Sequence, residues 1–375
     1  MEIQIKTKII DTLDQFLDIE TTWNRLYTDA GVSNPFLSWQ WQKLWITQFC
    51  DLSSMRFVLV INGDEVLAIA PFNLKDKKIT LLGDPFFADY ADIICSEPRD
   101  ILTNEIIKAI TDGVNWTIIE LLTLPGTSKN IDHLLESCKT VAPHSEVTCI
   151  HSNPYTDTSG KFEDYYRARK KSIRSEMVRT RNILNKVSQD WVFMSAKTID
   201  DKKEIYAALV DFHLERQNDK VGTSIFDSST NIQFFENLLV NEKLPWRIEM
   251  SGIKLEGKFI TASISIVEND IFYYWIPSFS PSFIKGSIGN FHVMCLIESC
   301  FDSHIKRFDF MGGNEAYKLK WSDGSYNNYR IVAYRSFLTK LKADLIEATV
   351  NFLKRYKESA ILMSLWIKVS KLIGK

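Results

Sequence analysis

The segment whose residue types and spacing are best suited to binding a ligand is YYWIPSFSPSFIKGSIGN, at positions 273–290. Its pattern predicts an aromatic strand, a loop with Pro and Gly, and the start of a helix. A helix N-terminus offers backbone N–H groups without partners, and Gly286 and Gly289 would let an anion approach them closely. The segment is suited to binding a pyrophosphate. The same order of parts also occurs as a plain connection in α/β proteins.

A second candidate is the basic segment 161–186, which reads as one helix. Eight Lys and Arg residues follow Lys161 in this segment, and Glu176 is the single acid in its later part. Guanidinium groups on several faces of a helix can bind phosphate through paired hydrogen bonds. Arg174 is our candidate for that contact, and a solvated charged face is the alternative.

Several common catalytic motifs are missing from the sequence. It contains no G-x-x-x-x-G-K-[ST] loop, no G-x-G-x-x-G, no G-x-S-x-G and no H-E-x-x-H. The six histidines never recur at a spacing of four, and no cysteine cluster complements them. We therefore expect no metal site.

The sequence predicts two series of strands and helices that follow the same order. These elements would position the segments described above. Each series predicts a β-hairpin, a third strand, a loop, a helix and a buried strand, and the hairpin turns fall at Gly63 and Gly257. This repeat of pattern predicts an α/β (mixed α+β) fold with two tandem domains, each a mixed β-sheet flanked by helices. The expected parts are an N-terminal domain 1–150, a basic linking helix 151–190, a C-terminal domain 191–335 and a basic amphipathic helical region 336–375.

Composition limits the classes of protein. The chain has 375 residues, of which 45% are hydrophobic and 25% charged, as in ordinary globular proteins. Its net charge of -2 gives no global attraction to nucleic acid or to anionic membranes, so any such contact must be local. The region 336–375 either packs on the protein or contacts a membrane surface. Because no secretory signal and no Cys-x-x-Cys pair is present, we expect a cytoplasmic protein with reduced thiols.

The segment RFDFMGGNEAYKLKW at 307–321 resembles the end of the GNAT acyltransferase domain, in particular of the CelD-like branch that is associated with bacterial polysaccharide biosynthesis. That branch ends in fDf..G.e.YK..w, and the matching residues here are Asp309, Gly312, Glu315, Tyr317, Lys318 and Trp321. Further matches follow in order: SWQWQKLW, GDEVLAIAPF, LLGDPFFADYAD and DFHLERQ. The resemblance covers about residues 34–335 and implies two tandem GNAT-like domains, as in the related Fem peptidoglycan aminoacyltransferases.

The resemblance also implies a reaction. The chain would be an N-acyltransferase that moves an acyl group, acetyl from acetyl-CoA or the group of another acyl-CoA, to the amino group of a sugar nucleotide or glycan precursor. Lys285, Gly286, Gly289 and Asn290 would bind the acyl-CoA.

Acyl transfer to an amine needs a base for the amine proton and donors for the oxyanion. Asp309, at the end of an apolar strand, and His213, in a predicted amphipathic helix, are the candidate bases. Alternatively, the Asp309 carboxylate caps a turn, and His213 is a core residue whose hydrogen bonds are made within the protein.

Five further residues are candidates for binding the acceptor. Lys318 would pair with a phosphate or carboxylate, Glu315 would orient the amine, and Tyr317 would protonate the leaving thiolate. Asp89 and Tyr90, in a predicted loop, would bind sugar hydroxyls or else form a solvated loop.

The donor loop departs from the GNAT pattern, which has Arg or Gln, two residues, Gly, one residue, and Gly or Ala. Here the register gives Phe283, Gly286 and Ile288, with Gly289 one place late. Two alternatives therefore stay open. One is a Fem-like aminoacyltransferase that uses charged tRNA, and the other is a non-catalytic GNAT-like binding protein of a polysaccharide assembly system.

Overall fold

The computed structural model of the protein describes residues 5–83, 87–218, 224–283 and 286–355, without the side chains of 216–218 and 353–355. The first half contains strands β1 (Ile5–Ile10), β2 (Met55–Asn62), β3 (Glu65–Lys75), β4 (Lys78–Leu81), β5 (Ile94–Cys95), β6 (Ile118–Pro125) and β7 (His144–Asp157). Its helices are α1 (Leu13–Asp18), α2 (Glu20–Asp29), α3 (Trp39–Phe49), α4 (Arg99–Thr111) and α5 (Ile131–Val141).

The second half begins with two helices, α6 (Phe162–Ala168) and α7 (Lys171–Val187). Its strands are β8 (Trp191–Ser195), β9 (Arg247–Leu255), β10 (Lys258–Glu268), β11 (Ile271–Phe279), β12 (Arg307–Asp309) and β13 (Gly324–Tyr334). The remaining helices are α8 (Ile199–Asn218), α9 (Ser229–Leu239), α10 (Ile288–Asp302), α11 (Ala316–Trp321) and α12 (Phe337–Arg355).

The thirteen strands of the described residues form one mixed sheet. The strand order is β1-β2-β3-β4-β6-β13-β7-β12-β11-β10-β9-β8. The short strand β5 lies outside this order and pairs with β3. The β4/β6 and β11/β12 pairs are parallel, and the other pairs are antiparallel. The two halves repeat the same strand order outward from the centre of the sheet. The predicted mixed-sheet fold and the predicted repeat of elements are therefore confirmed.

The two halves exchange their last strands at the centre of the sheet. β13, from the second half, pairs with β6, whereas β7, from the first half, pairs with β12. β7 and β13 also pair with each other over their whole length. Each half thus covers an edge that the other would leave unpaired. The expected boundary between residues 150 and 151 falls inside β7. Because β7 and β13 pair with each other, the strands of the two halves form one continuous sheet.

The basic segment 161–186 differs from the single helix expected there. Two residues with extended backbone, Arg169 and Lys170, separate α6 from α7. The Arg169 guanidinium stacks on Tyr165 at 4.4 Å, donates to the carbonyl of Trp321 at 3.2 Å and forms an ion pair with Asp323. These contacts hold the chain away from a helical path. Part of the basic charge is thus structural.

A buried carboxyl joins the two halves away from the sheet centre. Tyr27 of α2 donates a hydrogen bond to Glu268 at the end of β10, whose second oxygen has no described partner. Glu268 is only 4% exposed, and its burial raises its pKa to about 7. The folded protein therefore favours the protonated carboxylic acid.

This contact predicts how stability depends on pH. The unfolded carboxyl has a pKa near 4.5, so between about pH 4.5 and 7 the native state binds more protons and the free energy of unfolding falls as pH rises. The difference corresponds to about 3 kcal/mol. Glu268→Gln keeps a hydrogen-bond acceptor for Tyr27 and should remove this loss. Urea unfolding at pH 5 and pH 8 would measure it, with the exposed Glu136→Gln as control. An equal loss in both variants would contradict the assignment.

Candidate functional site

In the second half, the parallel strands β11 and β12 stop pairing before β11 ends. Only Ile271, Phe272 and Tyr273 of β11 pair with β12, which ends at Asp309, while β11 continues to Phe279. Beyond Tyr273, no strand within the described ranges pairs with this edge of β11. We call this gap the β11/β12 opening. Its backbone groups can bind an extended ligand between the two strands.

Helix α10 begins close to β11 and is oriented by contacts with α7. Gly286 has a φ of +79°, which favours glycine, and a Cβ there would lie 3.3 Å from Thr180 and Ile183, so a larger residue would also require these side chains to shift. The N–H of Ser287 donates to Thr180 Oγ1 at 3.2 Å. Among the described residues, the N-cap Ser287 makes no side-chain hydrogen bond to the first turn of α10, so the backbone N–H groups of that turn can bind an anion.

The four predicted donor-binding residues have different surroundings. Asn290 donates to Glu176 at 3.3 Å and accepts from Trp321 Nε1 at 3.3 Å, so its side chain already has protein partners. A Cβ added at Gly289 would lie 3.4 Å from the ring of Phe279. Lys285 lies outside the described residues.

The corresponding place in the first half is only partly closed. There β4 pairs with β6 over three residues, and the loop after β4 returns so that Ala91 N donates to Thr123 O of β6 at 3.1 Å. That hydrogen bond closes part of the edge of β6, and a cavity of about 250 Å³ remains between β4 and β6. β11 has the longer unpaired edge, because it continues to Phe279, whereas its counterpart β4 ends at Leu81, one residue after its last pair with β6.

Asp309 lies at the inner end of the opening. It is 2% exposed, and its Oδ1 accepts hydrogen bonds from Tyr90 at 2.8 Å and from the N–H of Met311 at 2.7 Å. Its Oδ2 accepts from the Tyr326 hydroxyl at 2.6 Å. Burial raises the pKa of Asp309. The structure therefore brings two predicted residues, Asp309 and Tyr90, together from opposite halves.

A cavity of about 260 Å³ between the halves reaches these groups. Its polar wall includes Tyr90, Tyr273, Arg307, Asp309, Tyr326 and Asn130. Asn130 is buried and donates to Asp92 at 3.0 Å, while its Oδ1 has no described partner. The cavity thus offers acceptors suited to an amine together with an arginine.

A second polar cluster surrounds Gly312, directly after β12. The N–H of Gly312 donates to Asp89 Oδ2 at 3.1 Å, and Lys318 Nζ donates to the carbonyl of the same glycine. Lys318 also lies 3.1 Å from Glu315, and its side chain is only 6% exposed. Burial raises the pKa of Asp89. The predicted residues Asp89, Glu315 and Lys318 therefore meet at one place.

His151 completes this second cluster, and the sequence did not single it out. The side-chain amide of Asn328 donates to the carbonyl of Asp89 at 2.8 Å and lies 3.2 Å from His151 Nε2. Because both contacts use amide hydrogens, His151 Nε2 is the acceptor and Nδ1 carries the proton of the neutral ring. Burial lowers the pKa of His151, which favours that neutral form. Long-range pairing of β7 with β13 creates this contact, and no local pattern indicates it.

Two other predicted residues lie in different surroundings. His213 is on α8, where its Nδ1 is 3.4 Å from Ser224 Oγ and its ring packs against Phe226 at 5.2 Å. These contacts are with the segment before α9 and do not place it beside Asp309. Tyr317 packs into the core beside α10, and burial raises its pKa, which makes it a weaker acid. The catalytic role of each stays a prediction.

Arg174 lines an open groove of about 800 Å³ along α7. The groove also includes Lys171, Arg179, Asn182, Ile183 and Lys186. Ile183 is the side chain that an added Cβ on Gly286 would meet, so the groove reaches the loop that precedes α10. We call it the α7 groove. It provides positive charge next to the β11/β12 opening.

Comparison with known proteins agrees with this geometry. Residues 169–319 match the family described as an acetyltransferase (GNAT) domain, which spans α7, the opening and Lys318. The predicted GNAT resemblance is thereby confirmed over these residues, and the match supports an acyltransferase. A search of curated protein sequences finds no match.

Solved structures share the fold over most of the chain. The C-terminal domain of a putative lysylphosphatidylglycerol synthetase from Agrobacterium fabrum superposes with a TM-score of 0.55 at 10% identity, covering 89% of this chain and 96% of that one. FemX gives a TM-score of 0.55 at 10% identity, with coverages of 89% and 99%. L-PGS from Bacillus licheniformis gives 0.52 at 12% identity, with coverages of 87% and 94%. At these identities the likeness concerns the fold.

Proposed function

We propose that this chain transfers the acetyl group of acetyl-CoA to the amino group of a sugar nucleotide or a related glycan precursor. The observation that carries the proposal is the edge of β11 beyond Tyr273, which no described strand pairs, beside the start of α10, which its N-cap side chain leaves uncapped in the described structure. Both lie within the part of the chain that matches the acetyltransferase domain. In the first half the equivalent strand, β4, ends one residue after its last pair with β6 and offers no comparable edge, so we assign one donor site to the chain.

The donor would lie along the opening. The pyrophosphate of acetyl-CoA would accept hydrogen bonds from the first turn of α10, where the helix dipole also favours negative charge. The extended pantetheine arm would pair with the free edge of β11. The α7 groove, with Arg174 and Arg179, would take the remaining phosphate of the nucleotide.

The acceptor would enter the cavity beside Asp309. Its volume of about 260 Å³ lies just below the roughly 300–1,000 Å³ of common small-molecule sites, so it suits one sugar unit with the rest of the molecule outside. The unpartnered Asn130 oxygen and the tyrosine hydroxyls would orient the amine. This fit is the reason for choosing an amino sugar.

Asp309 and a tyrosine would move the amine proton. As the amine nitrogen bonds to the thioester carbon, its proton passes to the Tyr326 hydroxyl oxygen, and the tyrosine proton passes to Asp309 Oδ2. The C–S bond then breaks with its electron pair on sulfur, and the proton returns through the same path to give the free thiol. Tyr326 is the better relay because it is partly exposed, whereas Tyr90 is buried.

Donor binding can be tested by thermal unfolding with acetyl-CoA. At a concentration of about 100 times Kd, binding to the native state adds roughly 2.7 kcal/mol and raises Tm by a few degrees. Gly289→Asp places a carboxylate in the first turn of α10, where it suits the helix dipole but repels a pyrophosphate. We expect this variant to lose the shift in Tm.

Thr230→Asp is the matched control. Thr230 is exposed and occupies the same second position in helix α9 as Gly289 does in α10. It should keep the full shift in Tm, as should the unmodified protein. A shift that survives in Gly289→Asp, or no shift with acetyl-CoA and longer acyl-CoAs, would contradict the proposed donor site.

A Fem-like transfer from charged tRNA is the second candidate. The α7 groove supports it because its four cationic side chains, Lys171, Arg174, Arg179 and Lys186, adjoin the donor loop. Such a donor would make many phosphate contacts, so log K would fall steeply with log salt. A steep salt dependence with charged tRNA and no transfer from acetyl-CoA would favour this candidate.

A further inference from the structure

Helix α12 exposes a stripe of large apolar side chains. Leu338, Leu341, Leu345 and Phe352 follow one another at spacings of three, four and seven residues, which place them on one face of the helix. Leu338 is 68% exposed and Leu345 60% exposed. We call these four residues the α12 stripe. Contiguous apolar surface of this kind typically marks an interaction site.

The three leucines of the stripe are exposed on the side of α12 that faces away from the sheet. The side of α12 that contacts the protein includes Val350, which is 5% exposed, and Lys340, which binds Glu146 of β7 at 3.0 Å. At 100° per residue, Val350 and Ala343 lie roughly opposite the centre of the stripe. The three leucines are therefore not needed to hold α12 on the sheet.

Charge distinguishes this end of the chain from the rest. Positions 338–375 hold eight Lys and Arg residues against three Asp and Glu residues, a net charge of +5, although the whole chain carries -2. Positions 1–337 therefore carry -7. Part of this range, 356–375, lies outside the described residues, and its sequence continues the mixture of apolar and basic residues.

We propose that α12 docks the protein on an anionic membrane surface. Apolar side chains on one face and lysines at its edges are the features of a helix that lies in the plane of the lipid headgroups. The basic end would be attracted to anionic lipid, while the acidic remainder would be repelled, so the molecule would bind with the C-terminal end toward the membrane. None of the helices in the described ranges is both long and apolar enough to cross a bilayer.

Charge also argues against two other occupants of the stripe. A second copy would bring two segments of charge +5 together. The chain's own positions 356–375 carry four lysines against Glu358, so their charge has the same sign as that of α12. An anionic lipid surface satisfies both the apolar face and the charge.

Co-sedimentation of the full chain with vesicles tests this proposal. We expect binding to vesicles of phosphatidylcholine with 30% phosphatidylglycerol, about tenfold or more weaker binding to phosphatidylcholine alone, and weakening at high salt. The triple variant Leu338→Ser, Leu341→Ser, Leu345→Ser should lose at least about tenfold in affinity for the anionic vesicles. Its Tm and its transfer activity on a soluble acceptor should be unchanged.

The matched control removes the same kind of surface elsewhere. Leu52, Ile101 and Val240 are exposed apolar residues outside α12, and their replacement by Ser should leave vesicle binding intact. No binding to either vesicle, or equal binding by both triple variants, would overturn the proposal. A dimer in sedimentation equilibrium that the α12 variant abolishes, without vesicle binding, would assign the stripe to a second copy instead. These outcomes do not depend on the acyl donor.

Discussion

Asp309→Asn is expected to lower kcat by about 10²- to 10⁴-fold, which is the usual contribution of a positioned general base. The asparagine has the same shape and can still accept a hydrogen bond from a tyrosine hydroxyl, so the buried site should stay packed. It cannot take up the amine proton. Release of free CoA thiol, measured with acetyl-CoA and amino sugar nucleotides, gives kcat directly.

The pH dependence of this variant separates catalysis from packing. Burial raises the pKa of Asp309, and the base must be unprotonated, so kcat/KM of the unmodified enzyme should rise with pH through that raised pKa. This rise should disappear in Asp309→Asn. Asp270→Asn, which alters an exposed ion pair with Lys306, is the control and should keep the rise.

The two tyrosines allow a finer test of the proton path. Tyr326→Phe removes the proposed relay, whereas Tyr90→Phe removes a buried donor to the other oxygen of Asp309. We expect the larger fall in kcat from Tyr326→Phe. Full activity of Asp309→Asn at an unchanged Tm would refute the assignment of the base.

Local patterns predicted the parts of this site that depend on neighbouring residues. Asp309 ends an apolar strand, and Gly286 precedes a helix, because alternation, turn residues and helix starts are set within a few positions. The contact of Tyr90 with Asp309 joins residues 219 positions apart. Only the tertiary fold creates such a contact, so no local pattern in the sequence indicates it.

The exchange of β7 and β13 explains most of what was missed. It brings Tyr326 to Asp309 and sets Asn328 beside His151. Each of these residues belongs to a strand whose partner comes from the other half, and strand pairing over that distance leaves no local periodicity. Arg169 shows the same limit, because its tertiary contacts with Trp321 and Asp323 interrupt a segment with helical sequence.

The second large effect is expected from Lys318→Met. The Lys318 ammonium has three N–H donors, and its described partners are the Gly312 carbonyl and Glu315, which leaves one donor for a substrate. A hydrogen bond to a charged group contributes about 1.5–3 kcal/mol, or roughly 10- to 150-fold. Methionine fills the space of the buried aliphatic stem without the charge.

If Lys318 binds a phosphate or carboxylate of the acceptor, KM for an amino sugar nucleotide should rise by about 10- to 100-fold while kcat changes little, because the interaction is lost equally from ground and transition states. With a free amino sugar, which has no phosphate, the unmodified enzyme and Lys318→Met should show the same KM. Lys139→Met, on the exposed face of α5, is the control for loss of a lysine.

The comparison of the two acceptors distinguishes binding from a structural clamp. A lysine that only holds the Gly312 turn would affect both acceptors alike. A lower Tm is expected in either case, since removal of Lys318 leaves the Gly312 carbonyl without its partner, so the difference between the two acceptors is the deciding result. A fall in kcat with both acceptors at unchanged KM would instead assign the ammonium to the oxyanion of the transition state. Only the selective rise in KM fits an anionic acceptor group at Lys318, and that result would extend the acceptor site from the cavity at Asp309 to the cluster around Gly312.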